Sequence, residues 1–325
     1  MMLLFALKRL LYAIPVLFAV VTMVFGLMQA THRDPLRHAP PLGLESTGGE
    51  SNPRYKRGDP KPQAITDNIK RKLGLDKPLY DQYVHYVGGL VRLDFGNTFT
   101  YQNQTVNDVI RQGGPVTLEL VLLAFVWALV LAVPLAVLAA ARPGTIVDRF
   151  VTASTAVTLG LPSFFVGTVL VWLLAVKTGV VPPFGWAGFR AKLLPPFVLS
   201  LVPFALITRV LRAELLEIRG REYVRAATAK GLRRPRVLYA HVLRPALIPI
   251  TAMIGPLLGQ LVTGMFIVEW IFSIPGIGRY FVAGAQVGDY PLALGLTVVL
   301  TAVIVLANVA ADLALGVLDP RTRTA

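Results

Sequence analysis

Six apolar stretches in this chain are each long enough to cross about 30 Å of hydrocarbon at a rise of about 1.5 Å per residue. They are Leu10–Ala30, Val116–Ala141, Phe150–Val176, Leu193–Leu211, Ala246–Phe272 and Pro291–Leu318, and they carry almost no charge. Hydrocarbon offers no partner for a peptide N–H or C=O, so a chain of this pattern must bond its backbone within helices. The expected fold is therefore all-α: a polytopic membrane protein of about six transmembrane helices. Pro15, Pro134, Pro162, Pro203 and Pro256 interrupt the runs, which neighbouring helices in a bundle accommodate. Gly160, Gly167, Gly255, Gly259 and Gly264 would let helices approach closely or vary a lipid-facing surface.

Composition supports the membrane reading. The chain is 54% hydrophobic and 15% charged, where soluble domains carry about 25% charge. Its net charge of +14 would suggest nucleic acid in a soluble protein, but here the basic residues sit between apolar runs. There is no cysteine, which excludes disulfides and thiolate metal sites. His32, His38, His85 and His241 are scattered, with no second ligand type at metal-binding spacing, and the acids form no convergent catalytic set.

The first run, preceded by Lys8 and Arg9, could be a signal peptide. Its 21 residues exceed an h-region of about 7–15, and Met28 is a poor residue three before a cut after Ala30. It reads as a retained anchor.

Orientation follows from the basic residues. Between the fourth and fifth runs lie Arg209, Arg212, Arg219, Arg221, Arg225, Lys230, Arg233, Arg234, Arg236 and Arg244, opposed by Glu214, Glu217 and Glu222. The positive-inside rule makes this side cytoplasmic. An even number of spans then places the N-terminus, the Arg142–Arg149 loop and the tail 319–325 on the same side. Segment 31–115 falls outside. Within it His32–Gln63, rich in Pro, Gly, Ser and Arg, reads as a flexible insertion. Residues 65–110 carry apolar and aromatic positions at helical spacing and read as a small external helical cap. The membrane core is 116–318, with a cytoplasmic loop at 212–244.

That loop contains GREYVRAATAKGLRRPRVLYAHVLRPALIP from Gly220 to Pro249. Its first half has helix-forming composition, and Gly220, Val224, Ala227 and Gly231 fall on one small-residue face. The other face presents Arg221 and Arg225, with Glu222 placed to pair with Arg225. Gly231 suits a helix stop, and Arg233, Arg234 and Pro235 a basic turn before re-entry at Pro245. Two roles fit a short exposed basic helix: lying on anionic lipid, or docking on protein. Lipid binding calls for Leu, Phe or Trp on one face, whereas Ala and Gly stand there.

Arg225-Ala226-Ala227-x-x-x-Gly231 resembles the EAA loop of importer-type ABC transporter permeases. More narrowly, the chain resembles the dipeptide/oligopeptide/nickel permease family. The matching segments are Leu73-Gly-Leu-Asp-Lys-Pro-Leu79, Leu93-Asp-Phe-Gly96, Thr117-Leu-Glu-Leu120, Gly160-Leu-Pro-Ser-Phe164, Val268-Glu-Trp-Ile-Phe-Ser-Ile-Pro-Gly-Ile-Gly278 and Asp289-Tyr-Pro291, in the family's order. Two departures stand out. Arg225 replaces the motif's acid, with Glu222 three residues earlier, and His241-Val-Leu243-Arg244-Pro245 replaces Ile-x-Leu-Pro.

The resemblance implies a type I ABC importer permease fold in a bacterial or archaeal cytoplasmic membrane, with no cofactor. Implied partners are a second, related permease, two ATP-binding subunits and an extracytoplasmic solute-binding protein. Glu222, Arg225, Ala226, Ala227 and Gly231 would couple to an ATPase, and the segment Phe272–Pro291 would be an outward loop. The chain has no G-x-x-x-x-G-K-[ST] phosphate loop of its own, so it is not read as the enzyme of the assembly. Short peptides are the branch's default cargo; nickel or another small solute is the alternative.

Gln260 and Glu269 are candidates for a translocation path, since polar groups inside apolar runs are costly. Gln260 equally suits an interhelical hydrogen bond, and Glu119 and Glu269 a wetted interface. Asn308 and Asp312 are further polar positions, Asp312 near the cytoplasmic end; His241 reads as a loop residue. A secondary transporter is a rival class, but its internal hydropathy repeat is not visible here. Bulky replacements of Gly231 or Ala227 are expected to abolish transport while the protein remains in the membrane, measurable by uptake alongside membrane immunoblotting.

Overall fold

A computed structural model describes residues 2–31, 77–98, 100–101, 104–287 and 289–318. The expected insertion 32–63, the start of the cap up to residue 76 and the tail 319–325 lie outside the described residues. Among the described residues no strand forms; a single isolated bridge pairs Asn97 with Thr105. The long helices are α1 (Met2–Thr31), α3 (Val106–Ala141), α6 (Leu194–Arg219), α8 (Arg244–Ile271) and α10 (Tyr290–Leu318). Shorter ones are α2 (Leu79–Val91), α4 (Ile146–Gly160), α5 (Ser163–Leu170), α7 (Glu222–Ala229) and α9 (Ile277–Val287).

Four helical stretches among the described residues are long and apolar enough to cross a membrane: Val106–Ala141, Arg190–Arg219, Val237–Ile271 and Pro291–Leu313. A fifth crossing needs α4 and the stretch Ser163–Lys177 taken together. The expected first span lies within the 30-residue α1, whose described apolar part is Ile14–Gly26.

The expected continuous third span, Phe150–Val176, is corrected. The chain turns by 104° between α4 and Ser163–Lys177. Leu161 is extended (φ −102°, ψ 136°) ahead of Pro162, which has no N–H and disfavours helical backbone in the residue before it. Beyond the break, α5 runs into a π-helical stretch, Val171–Lys177.

Three helices outrun their expected ends. α3 starts ten residues early, absorbing the end of the expected cap, because Thr105 and Asp108 cap it reciprocally. Thr105 N and Oγ1 donate to Asp108 Oδ2 (2.9 and 2.7 Å), and Asp108 N donates to Thr105 Oγ1 (3.1 Å). α6 continues to Arg219 because its buried face does: Leu211, Leu215 and Ile218 follow one another at helical spacing. The helix leading to α8 begins at Arg234, through the π-helical stretch Val237–Leu243. His241 is thus helical, not a loop residue, and the basic turn shrinks to residues 231–233.

Contacts divide the chain into two units. The first holds Met1–Ile14, Pro115–Arg279 and Ala302–Ala325. Its core contains Ala128, Ala132, Ala136 and Ala140 of α3 together with Ile207, Leu211 and Leu215 of α6. Trp127 meets Phe197 edge-on at 5.9 Å, fixing the same helix pair further along. α8 packs against α6, and Asn308 of α10 fills the space beside Gly255.

The second unit holds Pro15–Gly114 and Tyr280–Thr301. Here Tyr83 of α2 packs on Phe18 and Phe25, its hydroxyl 2.6 Å from Thr22 Oγ1. Asp289 accepts hydrogen bonds from Thr100 N (2.8 Å) and Leu292 N (3.2 Å), tying Thr100 to the start of α10.

Gly255 has no room for a larger side chain: a Cβ there would strike the Asn308 carboxamide and lie 3.1 Å from its Cα. Gly255→Val should cost about 1–3 kcal/mol. A thermal melt in detergent that left the midpoint unchanged would refute this packing.

Candidate functional site

The short helix α7 is held on the end of α6 by a tight turn, in which Gly220 N and Arg221 N donate to Glu217 O and Ile218 O (both 3.0 Å). It ends at Lys230, followed by Gly231 at φ +77°, a backbone state costly for a residue with a Cβ. Val224 and Ala227 are 5% and 7% exposed and join the core with Leu215, Ile218, Val237 and Val242.

This corrects the expected use of the small-residue face. Val224 and Ala227 point into the protein's own core, where Ala227 seats the helix, while Gly220 and Gly231 of the same face are exposed. Exposed instead are Glu222, Tyr223, Arg225, Ala226 and Lys230, followed by Gly231. The expected Glu222–Arg225 pair does not form among the described residues; Arg221 pairs with Glu217 at 2.7 Å, both exposed. That hydrogen bond holds the Arg221 guanidinium pKa above its usual value. Tyr223, 45% exposed, was not singled out from the sequence, although its position one residue before Val224 turns it outward.

Beneath α7 the helix ends are joined by polar contacts. Arg212 of α6 donates through Nε and Nη2 to the two carboxylate oxygens of Asp148 (2.5 and 2.7 Å). Asp148, 4% exposed in the first turn of α4, also accepts the Gly144 N–H at 2.8 Å. Arg219 Nη1 donates to the carbonyl of Ala140 at the end of α3. The sequence offered one hint of Asp148: it is the lone acid in the Arg142–Arg149 segment.

Glu269 lies elsewhere in the same unit and is fully buried, which corrects the expectation of a wetted interface residue. Thr117 Oγ1 donates to its Oε1 at 2.6 Å and Arg279 N to its Oε2 at 3.0 Å. Thr117 Oγ1 in turn accepts the Ile277 N–H at 2.8 Å, so one hydroxyl bridges carboxylate and loop. In this conformation Glu269 organises residues 274–279 and faces no open surface.

Glu119 is half-exposed, paired with Lys192 (2.6 Å) and bonded by Trp186 Nε1 (2.9 Å). Gln260 is exposed on α8, on a stripe with Ala252, Pro256, Thr263 and Ile267; among the described residues its side chain makes no interhelical hydrogen bond. Asn308 donates to Ile304 O at 2.9 Å, and Asp312 is half-buried. Among the described residues no cluster of His, Asp or Glu could hold a metal ion.

Residues 132–324 match the family described as binding-protein-dependent transport system inner membrane component. The chain is 35% identical to the oligopeptide transport system permease protein OppB of Haemophilus influenzae, over 99% of this chain and 100% of that protein. It is 34% identical to the dipeptide transport system permease protein DppB of Bacillus subtilis, over 80% of this chain and 85% of that protein. Among solved structures, an inward-facing MetNI methionine ABC transporter matches with a TM-score of 0.55. That match covers 65% of this chain and 96% of the other at 19% identity, a likeness of fold.

A Cβ on Gly276 would overlap the Glu269 carboxylate. Gly276→Ala is therefore expected to destabilise the protein by about 1–3 kcal/mol. The added substitution Glu269→Ala should recover less than it costs alone, because Thr117 and the Arg279 N–H lose their acceptor. Thermal melts of the single and double variants check both statements.

Proposed function

This chain belongs to the family of binding-protein-dependent transport system inner membrane components, and on that premise we propose that it is one permease subunit of an ATP-driven importer of short peptides. Full-length similarity to proteins named for oligopeptide and dipeptide transport supports the peptide assignment. The proposed assembly contains a second, related permease, two ATP-binding subunits and an extracytoplasmic binding protein that delivers the peptide. The chain's termini and α7 lie on the cytoplasmic side, in agreement with the distribution of Lys and Arg.

The observation that carries the reading is the two-sidedness of α7. Its apolar residues are sunk in the protein's own core, while Glu222, Tyr223, Arg225, Ala226 and Lys230 are exposed. A helix so seated acts as a rigid handle: force applied to its outer face is passed to α6 and the foot of α8 through close packing. ATP-driven closure of the partner subunits would push on this handle and switch the bundle between outward and inward access. Glu222 and Arg225, with no ion pair between them, remain available for charged contacts with an ATPase, and Ala226 permits close approach.

The α8 stripe holding Gln260 is proposed as part of the path wall or of the contact with the second permease. An uncharged amide at mid-span is costly against lipid and useful against peptide groups.

In the complete complex, Tyr223→Cys should cross-link to an ATP-binding subunit through a bifunctional thiol–amine reagent, the chain having no native cysteine to compete. Labelling of that cysteine by an impermeant reagent added outside intact cells would overturn both the orientation and the handle.

A further inference from the structure

The polar corner beneath α7 has no task in the reading so far. We propose that the Asp148–Arg212 pair is a positioning element that carries displacement of α7 to the broken helix pair α4–α5. It rests on the reading of α7 as the ATPase handle.

α7 shares its core with Leu215 and Ile218, so it moves with the last turns of α6. Arg212 lies one turn before Leu215 on α6, and its guanidinium engages both oxygens of Asp148. A two-pronged contact fixes angle as well as distance, which a single hydrogen bond or an apolar contact does not. Asp148 sits in the first turn of α4 and also fastens the Gly144 turn, where φ is +76°. Its own surface is almost fully covered, so on parting from Arg212 it would keep the Gly144 N–H as its one partner among the bonds described here. The foot of α4 must therefore follow the end of α6.

At its other end α4 stops at Leu161–Pro162, where the chain bends by 104°. The helical hydrogen-bond ladder is interrupted there, so this is the compliant point of the segment. Movement delivered at Asp148 is taken up as a change of bend, which repositions α5. Packing of α4 along α6 guides the motion, while the ion pair sets its register.

The test is made on the complete complex in proteoliposomes, with spin labels on Ala229→Cys at the end of α7 and Phe165→Cys on α5, both exposed positions in a chain lacking other cysteines. In the otherwise unmodified protein the inter-label distance should shift between nucleotide-free and vanadate-trapped states. With Arg212→Lys or Asp148→Asn added, that shift should fall to about half or less while ATP hydrolysis persists. Arg212→Lys keeps charge and length and loses only the fork, so it decides the matter should Asp148→Asn be lost from the membrane. An undiminished shift in Arg212→Lys overturns the proposal, as does a proportional fall of shift and ATP hydrolysis together. Failure of the Tyr223→Cys cross-link to an ATPase subunit would instead reject the handle itself.

Discussion

Hydrocarbon gives a peptide group no partner, so each must be met from within the protein, and this constraint shapes every long element described. Among the described residues, two places where the backbone leaves regular helix have a local explanation. At Leu161–Pro162 the imino ring supplies no N–H, and the following helix restarts by bonding to the Pro162 carbonyl. In the loop after α8, the N–H groups of Ile274, Ile277 and Arg279 go to Glu269 O, Thr117 Oγ1 and Glu269 Oε2. An acid that looks costly from composition alone is here the acceptor that lets non-helical backbone stay buried.

The same logic gives α7 its character. Eight residues make too short a helix to persist alone in water. It forms because Val224 and Ala227 are taken into a core shared with α6 and the start of the α8 segment. What is left outside is a surface of charged, aromatic and small side chains held at fixed orientation, the property a docking element needs.

Apolar run length made the membrane fold legible, and the ordered motifs made the family legible. Helix ends were less so, for identifiable reasons. Val116 looked like a start because apolar density begins there, whereas the Thr105–Asp108 cap that actually starts α3 lies in polar sequence. Arg212 to Arg219 looked like loop because charge count hid the Leu211–Leu215–Ile218 stripe. The sense of the small face on α7 was reversed because spacing shows which residues share a face and not where the face points. Asp148 went unmarked because its partner is 64 positions away, a distance at which pairing leaves no trace in a single sequence. The Thr117–Glu269 contact was hidden in the same way, across 152 positions.

The row Ala128, Ala132, Ala136 and Ala140 carries a consequence of its own. Methyl groups at every fourth position give α3 a nearly smooth track facing Ile207, Leu211 and Leu215. Long side chains interlock like gear teeth and must change rotamer before two helices can slip; a track of methyls has no rotamers to change. The two rods are held at both ends of this track, by the Trp127–Phe197 ring contact at one and by the Arg219 hydrogen bond to the Ala140 carbonyl at the other. Between those two fastenings the methyl row sets how closely the helix axes approach.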